Sequence, residues 1–179
     1  MTALKNALAV NDGKAVVISI KREWLAKIMS GEKTLEVRKS RPWEISFPFA
    51  VFCYETKANG GAGEIIGAFT CEDIDQLNCL TGLSPYYADG EKLSGMADKF
   101  IRESCIDIAA LFEYGNKTGM LYGWNISNVR KLSLPMHQLH LKRAPQSWQY
   151  INLNADDIES VAAAIELAGS VAAGKPSKA

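Results

Sequence analysis

The chain has 179 residues, 47% of them hydrophobic and 22% charged, with 20 basic side chains balanced by 20 acidic ones. That composition suits a single globular domain with a real core. No run of about 18 apolar residues exists, so no membrane-spanning helix and no membrane partner are expected.

The zero net charge hides segregation. Residues 14–41 carry eight basic and three acidic side chains, residues 55–113 four basic and eleven acidic, and residues 114–155 five basic and none acidic. Two basic blocks that fold side by side would attract phosphates. The alternative is local compensation by the acidic middle. The opening residues, MTALKNALAVNDGK, lack a long apolar segment and are interrupted by Asn11, Asp12 and Gly13, so no secretory signal is expected. Cys53, Cys71, Cys79 and Cys105 form no C-x-x-C pair and no zinc spacing with histidine. Reduced, buried thiols and a cytoplasmic location are the expectation.

In chain order, residues 1–14 read as an extension. Val16–Lys21 (VVISIK) alternates as a strand. Glu23–Ser30 reads as a short helix with an apolar stripe of Trp24, Leu25, Ile28 and Met29, ended by Gly31. Thr34–Arg38 is a second strand, with Leu35 and Val37 on the core face and Thr34, Glu36 and Arg38 on the other. Lys33 stands at its entrance with a stem long enough to reach that polar face. Ala50–Tyr54 and Glu64–Thr70 read as a hairpin around the glycine-rich Lys57–Gly63. Residues 72–115 read as an acidic helical insertion, with caps at Ser94 and Asp107 and a closing glycine at Gly115. Met120–Ile126, Val129–Leu134 and Ser147–Leu153 return to strand character. Asn154 caps a final helix, Ala155–Ala168, with Ile158, Val161, Ala162 and Ile165 as its stripe; from Gly169 the chain reads as a frayed tail. The organisation is an extension (1–14), a domain (15–153) and a helix with tail (154–179). Short strands with one early crossover helix indicate an α+β fold built on a small mixed β-barrel. No G-x-G-x-x-G, Walker A, H-E-x-x-H or G-x-S-x-G is present, and no cofactor is expected.

Glu36 and Arg38, two apart on a strand, share a face. Either Glu36 orients Arg38 to hold a phosphate or carbonyl oxygen, or they form an exposed pair of small energy. Lys33 offers a point charge for phosphate, or a base if burial lowers its pKa. Lys21 lies on the polar face of the first strand. Trp43, just after Arg41-Pro42, is the best stacking candidate; Trp24, Trp124 and Trp148 read as core. His137 and His140 have no cysteine or acid near them in sequence, so no metal site is expected.

The order Ser19-Ile20-Lys21, helix, Gly31-x-Lys33-x-x-Glu36-x-Arg38 resembles the ASCH domain, whose signature is G-x-K-x-x-E-x-R, within the PUA-like superfamily. Leu121–Ser127 (LYGWNIS) and Arg143–Tyr150 (RAPQSWQY) resemble the closing strands of bacterial and phage ASCH proteins, and the likeness spans Ala15–Leu153. It implies a PUA-like barrel and a cleft, lined by the signature, between barrel and first helix. It also implies RNA or a nucleotide-like ligand as partner. Lys21, Lys33, Glu36, Arg38 and Trp43 are then the candidate ligand-binding residues. Some similar proteins are amidohydrolases of N4-acetylcytidine and others ribonucleases; in an enzyme Lys33 and Glu36 would be the catalytic candidates. The amidohydrolases read G-x-K-T-x-T-x-R, and here Glu36 replaces the second threonine, the presumed nucleophile. A third possibility is a non-catalytic interaction module, with the insertion and final helix docking a partner or a second copy.

Overall fold

The computed structural model describes Val10, residues 13–83 and residues 95–173. β1 (Lys14–Ile20) lies between β3 (Phe49–Glu55), to which it is parallel, and β6 (Trp148–Asn152), to which it is antiparallel. Val16, Ile18 and Ile20 enter one core cluster and Ala15 and Val17 another, so both faces of β1 are covered. α1 (Arg22–Ser30) buries Leu25 and Ile28 and ends at Gly31, whose φ of +79° is the left-handed conformation glycine adopts freely. That turn folds the chain back, and the Lys33 amide donates to the Lys27 carbonyl at 3.0 Å. β2 (Leu35–Arg38) follows, with Leu35 and Val37 packed into a third cluster.

The six-stranded sheet has the order β2-β5-β4-β3-β1-β6 and mixes parallel with antiparallel pairing. Its edge strands are not laddered to each other. Side chains draw the two ends together instead. The Arg38 guanidinium on β2 donates to the Ser19 carbonyl on β1 at 2.8 Å. Trp124 of β5 meets Trp148 of β6 edge-on, ring centroids 5.9 Å apart. The result is a curled α+β sheet.

Several boundaries differ from the sequence reading. β1 starts at Lys14, inside the expected extension, and ends at Ile20, so Lys21 leads into α1 instead of standing on the strand's polar face. β4 runs Ile65–Asn78, so residues 72–78 belong to the sheet and the helical insertion starts at Cys79. The acidic run stays in the strand because its carboxylates find donors. The Ser127 hydroxyl donates to Glu72, the Asn125 amide to Asp73 and Asp75, and the Lys99 ammonium to Asp75 at 2.6 Å. β5 (Met120–Leu134) is one strand, not two. Asn128, at φ +49°, makes an irregularity in the ladder and β5 continues past it. The last helix, α5, spans Ala155–Ala173, past the expected end at Ala168, because the alanine-rich stretch favours helix. Residues 174–179 of the expected tail lie outside the described residues.

Among the described residues the insertion comprises α2 (Cys79–Gly82), α3 (Gly95–Ser104) and α4 (Ile108–Gly115). The Asp107 carboxylate caps α4 by accepting from the Ala110 amide at 2.9 Å. The cap expected at Ser94 lies outside the described residues. Gly115 does not close α4 in a left-handed conformation; it makes room. A Cβ there would lie 2.1 Å from the Cys79 sulfur. At the start of α5, the Asn154 side chain accepts from the Asp157 amide at 3.0 Å and the Asp157 carboxylate accepts from the Asn154 amide at 2.8 Å, a reciprocal cap. Ile158 and Val161 then pack on Leu132 and Leu134.

Cys53, Cys71 and Cys79 are buried, and burial pushes their thiols up. Cys105 departs from the expectation: it is half-buried, because φ +60° there turns its thiol to the Glu32 carbonyl at the surface. No helix among the described residues is long and apolar enough to cross a membrane.

Gly123, on β5 against the start of β2, is a sharp test of this packing. An added Cβ would sit 2.8 Å from Leu35 and 2.8 Å from Phe100. Gly123→Ala is expected to lower stability by about 1–3 kcal/mol, the usual cost of overpacking a filled core. Urea denaturation measures it, and an unchanged midpoint would mean that β2 and α3 are not held this tightly.

Candidate functional site

The strand period puts Glu36 and Arg38 on one face of β2, and the turn after Gly31 brings Lys33 beside them. The Lys33 ammonium is 1% exposed and Glu36 6% exposed. Lys33 lies 3.4 Å from Glu36 and donates to the Ser104 carbonyl, at the end of α3, at 2.8 Å. It also sits over the Trp24 ring, 5.3 Å from the centroid. The other Glu36 oxygen accepts from Arg38 at 2.9 Å. Glu36 is therefore gripped by two cations, and Lys33 is spent on protein partners. Burial holds the Lys33 ammonium below the usual lysine range, against the pull of Glu36.

These groups line one wall of a cavity of about 460 Å³ between β1, α1, β2 and the insertion. Ile20, Trp24, Val37, Ile106 and Ala110 supply apolar surface; Ser19, Lys21, Thr56, Tyr114 and Gln146 supply further polar atoms. Lys21, just ahead of α1, is exposed at the rim. Burial and the Glu36 charge push the Tyr114 hydroxyl up, against the Arg38 charge. Two buried polar atoms in the lining, Arg38 Nε and Thr56 Oγ1, find no hydrogen-bond partner among the described residues. Native interiors seldom leave such groups unpaired; both lie beneath the cavity surface, on residues that line it.

Of the residues singled out in the sequence, Lys21, Lys33, Glu36 and Arg38 share this cavity. Trp43 stands apart: it is 70% exposed on the loop after β2, with the Arg41 guanidinium 4.2 Å from its ring centroid. Thr34 is exposed and does not line the cavity. Trp24, read as core, contributes a wall because it flanks the buried stripe of α1. Tyr114 and the Ser104 carbonyl arrive from the insertion, and no local pattern signals such distant packing. Trp124 is buried, and Trp148 is half-buried with its indole donating to Ser40 at 3.0 Å. His140 contacts Asp157 at 3.0 Å, and among the described residues no three His, Cys, Asp or Glu gather to hold a metal. No ion pair among the described residues joins the basic block 14–41 to the acidic block 55–113.

No family model and no curated protein sequence matches this chain. Solved structures do. The crystal structure of ASCH from Zymomonas mobilis is similar at a TM-score of 0.62, with 22% identity, over 85% of this chain and 96% of that one. Two point mutants of that protein give TM-scores of 0.62 and 0.60, at 21% and 19% identity, over 85% and 83% of this chain and 96% of each of theirs.

Proposed function

Because the chain has the fold of an ASCH domain, an α+β fold of the PUA-like type, we propose that its cavity binds a nucleotide unit, free or within RNA. The observation that carries this reading is a cavity that gathers the Arg38 and Lys21 cations and the Tyr114 side chain beside the Trp24 ring. Glu36, itself held by Lys33, and the Ser19 carbonyl fix the Arg38 guanidinium in the cavity wall, where it meets a polar edge of the base. Trp24 and the aliphatic residues around it offer the base an apolar surface. Lys21 at the rim takes a phosphate. Lys33 acts as a positioning residue, since its protons are already engaged.

Isothermal titration calorimetry with uridine and cytidine 5′-monophosphates at low salt tests the proposal. One-site binding is expected, weakening as salt rises and weakened again in Lys21→Gln, an exposed change that leaves the core alone. Absence of binding, or binding indifferent to Lys21 and to salt, would remove this reading.

A second reading, hydrolysis of N4-acetylcytidine, draws support from Lys33 and Glu36 lying side by side in the cavity lining. Glu36, in place of the presumed nucleophile, is committed to Lys33 and Arg38. Chromatographic detection of cytidine after incubation with N4-acetylcytidine decides between binding and turnover.

A further inference from the structure

We propose that the loop leaving β2 is a stacking platform for single-stranded RNA, continuous with the cavity and serving the nucleotides next to the one it holds. This extends the nucleotide-binding reading and rests on it. The loop starts at Arg38, inside the cavity, and its next residue, Lys39, places its ammonium 4.5 Å from the ring centroid of Tyr114, which also lines the cavity. Beyond it the chain is pinned to β6. Ser40 accepts from the Trp148 indole at 3.0 Å, and the amides of Trp43 and Glu44 both donate to the Tyr150 hydroxyl at 2.9 Å. The loop is thus a fixed path from the cavity mouth to an aromatic surface.

The surface has the two features that single strands require. Trp43 and Phe47 are exposed aromatic rings, at 70% and 38%. The Arg41 guanidinium lies over both, 4.2 Å and 5.8 Å from their centroids. A guanidinium on one face of an indole leaves the other face for a base. Arg41 has no carboxylate within 4 Å among the described residues, and its buried Nε has no hydrogen-bond partner among them. Lys39 forms no ion pair among the described residues either. Lys14, over Tyr150 at 4.7 Å, is engaged by Glu44, the single acid in the loop, through its carbonyl at 2.6 Å and its carboxylate at 3.8 Å, which leaves Lys39 and Arg41 as the unpaired cations. Stacking aromatics interleaved with unpaired cations fit a polyanion whose bases are free to splay, and fit a duplex poorly, since its bases are already stacked.

The test compares uridine 5′-monophosphate with an oligouridylate of about eight nucleotides, a length within the footprint of single-strand binders. Fluorescence anisotropy follows the oligomer and calorimetry the mononucleotide. The oligomer is expected to bind at least about tenfold tighter than the mononucleotide. Trp43→Ala should remove most of that excess, leave mononucleotide affinity unchanged, and be rescued by Trp43→Phe. Trp43 is exposed, so its removal leaves the fold intact, and circular dichroism verifies this. Equal affinity for oligomer and mononucleotide would overturn the proposal, as would oligomer binding indifferent to Trp43 or equal binding of a duplex. A dimer in light scattering that Trp43→Ala dissolves would overturn it too, by making the surface a protein interface. If the mononucleotide fails to bind while Trp43-dependent oligomer binding persists, the cavity reading falls and with it the platform as an extension of the cavity.

Discussion

Replacing Glu36 with alanine is expected to lower the free energy of unfolding by about 3–5 kcal/mol, the largest loss for any single change at this site. The reason is the asymmetry of a buried charge network. Glu36 is the only carboxylate within 4 Å of Lys33 or Arg38 among the described residues. Its removal leaves the Lys33 ammonium enclosed with the Ser104 carbonyl and the face of Trp24, neither of which carries a full negative charge. It also leaves Arg38 with a single backbone acceptor. Lys33→Met should behave differently. Glu36 keeps its 2.9 Å contact with Arg38, the methionine fills much of the lysine's space, and what is lost is chiefly the bond to the Ser104 carbonyl, worth about 1–3 kcal/mol. Urea titrations of the two variants give the comparison. A smaller loss for Glu36→Ala than for Lys33→Met would mean that the carboxylate is not holding two buried cations.

The second large effect is on the pH dependence of stability. Burial lowers the Lys33 pKa in the folded chain from its ordinary 10.5. Between that lowered value and 10.5 the unfolded chain binds a proton that the folded chain has released. The Lys33 contribution to stability therefore rises with pH across this window, by up to about 1.4 kcal/mol per pH unit, and levels off on either side of it. Lys99, paired with Asp75, is shifted the other way, as are Lys27, Tyr114 and the buried Cys53, Cys71 and Cys79, and their contributions are lost as pH rises. Both wild type and Lys33→Met retain these groups, so their effect cancels in the difference between them. The stability of the wild type relative to Lys33→Met is expected to increase as pH climbs toward 10.5. A difference that stays flat would show that Lys33 titrates like a solvated lysine, and one that falls would show that Glu36 outweighs burial; either contradicts the account.

What could be read in the sequence was local. The strand period placed Leu35 and Val37 inward and Glu36 and Arg38 together, and Gly31, Asp107 and Asn154 marked helix ends through chemistry confined to a few residues. Element limits were lost where distant partners decide them. The carboxylates of Glu72, Asp73 and Asp75 look like an exposed acidic stretch until the donors Asn125, Ser127 and Lys99 are in place. Asn128 looks like a strand end until the ladder is seen to resume past it. The site was legible along β2 and opaque across it. Lys33 is satisfied by a carbonyl 71 residues away, and Tyr114 reaches the cavity only because the insertion packs over β2. The insertion, which in sequence is merely an acidic interruption, is a wall of the cavity.

The most direct measurement of the central claim is a heteronuclear NMR titration of the labelled protein with uridine 5′-monophosphate. Binding in the cavity requires saturable shifts in the Trp24 indole and in the amides of residues 33–38 and 106–114, with the outer face of α5 silent. Shifts confined to other surfaces, or none in the Trp24 indole at saturation, would contradict the account.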